Sequence, residues 1–167
     1  MTTTLILHRP KSIAFVAMMA FALVTLAFLT GCTAEVDAEM RTYAGINAIR
    51  TKAGLPPLTP DEGLVRVARA RSDDMATRNY FSHTTPEGEK FLGMLSQRGI
   101  GYKYAGEILA RNNYPDAQAP GTAMTTYLNS APHKAILMDG RYNLVGVGYA
   151  RSDEDSMHYF TVIFVQR

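Results

Sequence analysis

The chain predicts an α+β fold, a three-layer α–β–α sandwich on a small, mostly antiparallel sheet, and three observations carry the prediction. Apolar residues recur at helical spacing over Glu35 to Lys52, over Pro60 to Arg78 and over Gly121 to Leu128. Two closing segments, Leu144 to Arg151 and Met157 to Val165, alternate as strands and flank the polar hairpin tip Ser152-Asp153-Glu154-Asp155-Ser156. In the last strand both alternating sets are apolar: Phe160, Val162 and Phe164 on one face, Tyr159, Ile163 and Val165 on the other. Such a strand is central and covered by helices on both sides.

Ahead of the predicted domain, His8-Arg9-Pro10-Lys11 leads into an uncharged run, Ser12 to Thr30, rich in Ala, Leu, Phe, Val and Met. Basic residues before an apolar run read as a secretion signal, and the run is also long enough to cross a bilayer as an uncleaved anchor. Leu29-Thr30-Gly31-Cys32 resembles the bacterial lipoprotein box, in which the thiol is acylated, for example with palmitate, and the chain is cut just before it. Cys32 is the only cysteine. The expected organisation is a lipoprotein signal peptide over 1–31, a short lipid-attached tether over 32–34 and one domain over 35–167. On either reading the basic residues stay inside, and the domain is exported and faces outward at the cell membrane. An acylated Cys32 leaves no disulfide, so the core alone must hold the fold.

Hydrophobic residues make up 47% of the chain and charged residues 19%, the balance of a globular domain. The formal charge of +2 is accounted for by Arg9 and Lys11 of the signal, so the exported part is balanced. No stripe of Lys and Arg with interleaved aromatics remains, which argues against a nucleic-acid partner.

Within the domain, Val36, Met40, Tyr43 and Ile46 set the helical period of the first helix, and Ala53-Gly54 ends it. Leu55-Pro56-Pro57-Leu58 is an extended connector. Thr59-Pro60-Asp61-Glu62 reads as a helix start, with Thr59 as cap and Pro60 in the first position. Leu64, Val67, Ala68 and Met75 form the buried face of that helix. Arg71 intrudes on the same face, either as a buried stem paired with Asp74 or as a residue lining a site. Arg66, Arg69 and Asp73 read as a solvated face. A short helix starting at Thr85-Pro86 carries Phe91, Leu92 and Leu95 and ends at Gln97-Arg98. Tyr104 to Ala110 is a strand whose small residues permit close backbone approach. Ser130-Ala131-Pro132-His133 restarts a helix after Leu128, and Gly146 and Gly148 are packing glycines in a strand.

The ordered set Ile46-Asn47, Arg50, Gly54-Leu55-Pro56-Pro57-Leu58, Leu64, Ala68, Met75, Phe81-Ser82-His83, Pro86, Gly88, Gly106-Glu107, Ser130-Ala131-Pro132-His133 and Gly146-Val147-Gly148-Tyr149 resembles the bacterial branch of the CAP superfamily. That superfamily, also called SCP-like, holds cysteine-rich secretory proteins, insect venom antigens and pathogenesis-related plant proteins. The resemblance spans Glu35 to Arg167. It implies an α–β–α sandwich, secretion or surface display, and a shallow cleft lined by two histidines and one or two acids. Carried over, His83 and His133 match the cleft histidines and Glu107 matches the acid. The second acid has no match: Tyr127 stands at the family's Trp place, Ser130 at the acid place, and Ile108 replaces the Asn that usually follows Glu107.

Two imidazoles and a carboxylate are a ligand set for a divalent cation, zinc above all, with calcium and magnesium as further possibilities. Water on such a metal could hydrolyse an ester or amide. Without a metal, Glu107 could orient a histidine as general base. Ser130 is the candidate nucleophile, against a reading as a helix cap bonded to the amide of His133. His158 lies outside the pattern and reads as a core imidazole bonded to a backbone carbonyl. Three functions follow as expectations. The first is a surface-tethered module that binds a lipid, glycan or divalent cation at His83, Glu107 and His133. The second is a secreted hydrolase acting on peptide, peptidoglycan or lipid ester. The third is a structural or adhesive envelope protein. The membrane, through acylated Cys32, and a lipid or cell-wall ligand are the expected partners.

Overall fold

The structure, a computed structural model, describes residues 34–167. The expected signal peptide over 1–31 and Cys32 lie outside the described residues. By its contacts Glu35–Arg167 is one compact unit, and every element below belongs to it except Ala34 at the start of the first helix. Among the described residues no helix is long and apolar enough to cross a membrane.

Helix α1 covers residues 34–52. Its buried stripe is Ala38, Thr42 and Ile46, with Tyr43 and Ile49 alongside. Val36 and Met40, counted from the sequence on the helical period, are 38% and 64% exposed instead. Ala38 and Thr42, two residues further on, are buried in their place, and Thr42 can be buried because its hydroxyl donates within the helix to Ala38 O at 2.8 Å.

Thr59–Pro60 is strand β1, not the first turn of a helix. Thr59 N–H donates to Asn143 O at 2.9 Å and Asp61 N–H to Val145 O at 3.0 Å, so the sheet claims the backbone that a cap would need. Pro60, which has no N–H, is tolerated in this marginal strand. Asp61 takes over the cap of helix α2 (Glu62–Thr77), accepting from Leu64 N–H at 3.0 Å. The next helix also starts later than the sequence pattern suggests, α3 being Phe91–Gln97. Thr85 and Gly88 instead close a turn: Gly88 N–H donates to Thr85 O and Thr85 N–H to Glu89 O, each at 2.8 Å, with Gly88 at φ +88°.

Strand β2 (Tyr104–Asn112) precedes α4 (Ala119–Asn129) and α5 (Ala131–Leu137), and β3 (Leu144–Arg151) and β4 (His158–Gln166) close the chain. The sheet order is β1-β3-β4-β2, with β2 and β3 antiparallel to β4 and β1 parallel to β3. β4 is the central strand that its sequence predicted, buried from His158 to Val165.

The two faces carry separate cores. Ile108, Val147, Phe160, Val162 and Phe164 pack under α1, α4 and α5. Ile163, Val165, Leu109 and Tyr159 pack under α2 and α3 with Leu64, Val67, Ala68, Met75 and Leu95. Gly146 and Gly148 are packing glycines as expected: a Cβ on Gly146 would meet Leu64 C at 2.2 Å, and one on Gly148 would meet Ala68 C at 2.1 Å. The α2 backbone therefore lies directly on β3. This seats the next turn of α2, which carries Arg71, against the sheet.

Candidate functional site

The site stands at the β2 rim of the sheet. Arg71 and Glu107 anchor it. Arg71 is on the buried stripe of α2, Glu107 on the α2 side of β2, and neither side chain is exposed (0% for both). Arg71 Nε donates to Glu107 Oε1 at 3.2 Å. Its two remaining nitrogens donate to Tyr80 Oη at 2.9 Å and Ser82 O at 2.6 Å. Arg71 thus pairs with the site acid and not with Asp74, correcting the simpler of its two sequence readings. Asp74 is one step removed, accepting from the Tyr80 hydroxyl. Burial, then this bond, pushes the Tyr80 phenol up to about 12.

These bonds shape the segment that carries His83. After α2 the chain reverses through Asn79 at φ 50°, and Tyr80 N–H donates back to Met75 O at 3.1 Å. The grip of Arg71 on Ser82 O then sets His83 beside β2, where its Nδ1 meets Glu107 Oε2 at 2.7 Å. The His83 side chain is 53% exposed, so the carboxylate is enclosed while the ring it holds faces solvent. A carboxylate on Nδ1 orients the ring with a proton on that nitrogen and leaves Nε2 to the cleft.

His133 arrives from the opposite layer. The extended backbone of Ser130 separates α4 from α5, and Pro132 lies in the first turn of α5. The His133 ring stands edge-on to Tyr127 at 5.8 Å and 6.3 Å from the His83 ring, centroid to centroid. Its Nδ1 is buried, with no hydrogen-bond partner among the described residues. Burial, then the neighbouring His83, holds its pKa below the ordinary histidine value. Both effects favour the neutral form of the His133 ring.

Ser130 occupies the N-cap position of α5. Its side chain makes no capping bond, and among the described residues no hydrogen bond joins it to either histidine. His158 is the core imidazole expected of it, with Nε2 2.8 Å from Tyr114 O and Nδ1 2.7 Å from Tyr149 Oη. Phe81, beside the site, is 42% exposed and stands 6.5 Å from Tyr159, with the Arg111 guanidinium 5.3 Å from its ring.

As a metal site the three residues are one ligand short. Both Glu107 oxygens are engaged, one by Arg71 and one by His83, and among the described residues no group of three His, Cys, Asp or Glu gathers as a cage. A cation here would have only the two imidazoles as direct ligands, with Glu107 behind His83 as the outer partner that orients it.

An α–β–α sandwich with two histidines from opposite layers at the sheet rim, one backed by a buried acid, is the class of protein this architecture defines. The chain belongs to the Cysteine-rich secretory protein (CAP) family, whose model matches residues 43–164. It is 38% identical over 124 residues to the protein YkwD of Bacillus subtilis, covering 74% of this chain and 47% of that one. It is 35% identical over 133 residues to the membrane protein YlbC of the same organism, covering 80% of this chain and 36% of that one. Among solved structures it resembles an extracellular protein containing an SCP domain from Bacillus anthracis, at TM-score 0.68 and 27% identity, covering 80% of this chain and 41% of the other. The chain thus spans half or less of the length of each of these relatives.

Proposed function

We propose that the chain is an exported CAP-domain protein, tethered to the cell surface through acylated Cys32, that holds a small ligand between His83 and His133. The pairing of the two rings carries this reading. One is oriented by Glu107, and the other is held below the ordinary histidine pKa with a buried Nδ1 that has no partner among the described residues. Imidazole nitrogens can accept from the hydroxyls of a glycan or lipid headgroup or ligate a divalent cation. The name of the Bacillus anthracis relative supports an extracellular location.

A divalent cation would be held by His83 and His133, with Glu107 orienting His83; when bound it would polarise a ligand oxygen. Thermal melting of the purified protein with zinc, calcium, magnesium or chelator tests this. A bound ligand at about 100 times its Kd raises stability by about 2.7 kcal/mol. The expected result is a rise that His83→Ala and His133→Ala each abolish. An equal response in all three proteins removes the cation reading, and the same assay with soluble peptidoglycan fragments then tests the glycan reading.

The Glu107–His83 contact also favours a second reading, hydrolysis with His83 as general base oriented by Glu107. Turnover of a cell-wall, peptide or ester substrate, abolished by Glu107→Gln, would establish it.

A further inference from the structure

Two exposed side chains stand beside the histidines without serving them: Phe81, two residues before His83, and Arg111, on β2 four residues beyond Glu107. Alternation puts Glu107, Leu109 and Arg111 on one side of β2, the side that faces α2. Arg111 therefore lies about 13 Å along the strand from Glu107, at ~3.3 Å per residue.

The Arg111 guanidinium is 5.3 Å from the Phe81 ring and 5.9 Å from the ring of Tyr159, its register partner on β4. Two aromatic faces orient the cation and leave its fork of five N–H donors unbonded. Among the described residues Arg111 is the one arginine that forms neither a hydrogen bond nor an ion pair; every other meets a carbonyl or a carboxylate. Asp155, close enough to feel the charge of Arg111, accepts instead from Met157 N–H at 3.1 Å. The Tyr159 hydroxyl is likewise buried with no partner among the described residues. Beside His83 there is thus an exposed ring, an oriented guanidinium and no acceptor committed to it, the complement of an oxyanion.

We propose that the ligand of the histidine cleft is an acidic saccharide lying along the β2 rim. Its hydroxyls meet His83, the C–H face of a sugar ring rests on Phe81, and a carboxylate or phosphate enters the fork of Arg111. The inference rests on the reading that His83 and His133 hold the ligand, and it adds the charge and the length of that ligand. Two parallel N–H···O bonds from a planar guanidinium match the two oxygens of either anion. Because the rings already hold the guanidinium, less side-chain entropy is lost when the anion docks. An acyl chain would meet a bare cation where Phe81 ends, whereas a sugar carries polar groups to both sides of the ring.

The test uses the purified protein and three fluorescent trisaccharides labelled at the reducing end and read by anisotropy: trigalacturonic acid, its methyl ester, and maltotriose bearing one 6-phosphate. The acid or the phosphate should bind at least about tenfold more tightly than the neutral ester, and the arm that is preferred identifies the anion. Arg111→Gln, at an exposed position, should remove the preference and leave binding of the ester unchanged. Arg111→Lys, which keeps the charge and loses the fork, should restore only part of it. His83→Ala should weaken all three probes alike. Equal binding of charged and neutral probes, a preference that Arg111→Gln retains, or no binding of any probe at millimolar concentration overturns the proposal. Equal binding that His83→Ala still weakens overturns the role of Arg111 and leaves the histidine cleft standing. A preference that needs Arg111 but is untouched by His83→Ala overturns the histidine cleft, and with it the single ligand spanning both.

Discussion

Arg71 and Glu107 form an ion pair with neither side chain exposed, on two elements that the sheet brings together from 36 residues apart. Removing one partner of such a pair leaves the other charged, buried and unmatched. Arg71→Met is therefore expected to cost about 3–5 kcal/mol in urea unfolding. The double change Arg71→Met with Glu107→Leu is expected to cost much less than the sum of the two single changes. Additive losses would show that the pair is not the unit that matters.

The close approach of α2 to β3 makes Gly148→Ala a sharper probe than most glycine changes. The added methyl would meet Ala68 C at 2.1 Å and Arg69 N at 2.2 Å, both backbone atoms that cannot rotate away. The helix must lift, and a loss of about 1–3 kcal/mol or more is expected. Since Arg71 rides on the lifted helix, ligand binding at His83 should weaken too. Calorimetry of the variant with and without ligand reads both effects.

Arg50 is wholly buried and donates to the carbonyls of Pro56, Leu137, Asp139 and Tyr142 at 2.9–3.3 Å. It ties α1 to the connector before β1 and to the segment after α5. Arg50→Met leaves those carbonyls unmatched, at on the order of 1–3 kcal/mol for each that water cannot reach. Hydrogen exchange should quicken at residues 137–143 while β4 stays protected. Uniform quickening would mean global rather than local loosening.

Two histidines make the fold sensitive to acid. Burial lowers the folded pKa of His158, more than Tyr114 O and Asp116 raise it and with Arg151 also lowering it; burial, then His83, lowers that of His133. In the unfolded chain both return to about 6.5. Below that value the unfolded state binds more protons, so stability is full above it and falls as pH drops toward the folded values. Urea midpoints should therefore decrease from about pH 7 to about pH 5. His158→Gln should reduce the decrease, at the cost of lower stability at neutral pH. An unchanged slope in that variant would assign the effect to other groups.

Much of the fold was legible because its signals are local. The alternation of Leu144 to Arg151 returned β3 with its bounds, and the doubly apolar last strand returned a central β4. Thr59 and Thr85 misled because each carries good helix-start chemistry that a distant partner or a turn overrode: Asn143 pairs with Thr59, and Gly88 folds Thr85 back. At the site, the histidines and Glu107 came from the resemblance to a family, not from spacing, since 24 residues separate His83 from Glu107. Arg71 was the signal available within the chain itself. An arginine on an apolar helix face needs a buried partner, but sequence distance alone pointed to Asp74.

His83 belongs to the α2 layer and His133 to the α5 layer, with the edge of β2 between them. The cores beneath those layers share a sheet but no side chains. A ligand touching both rings is thus a clasp across the seam of the sandwich, and it makes the opening of either face contingent on the other. Its grip would register as greater unfolding cooperativity as well as a higher melting temperature, even where the two rings move by less than the width of an atom.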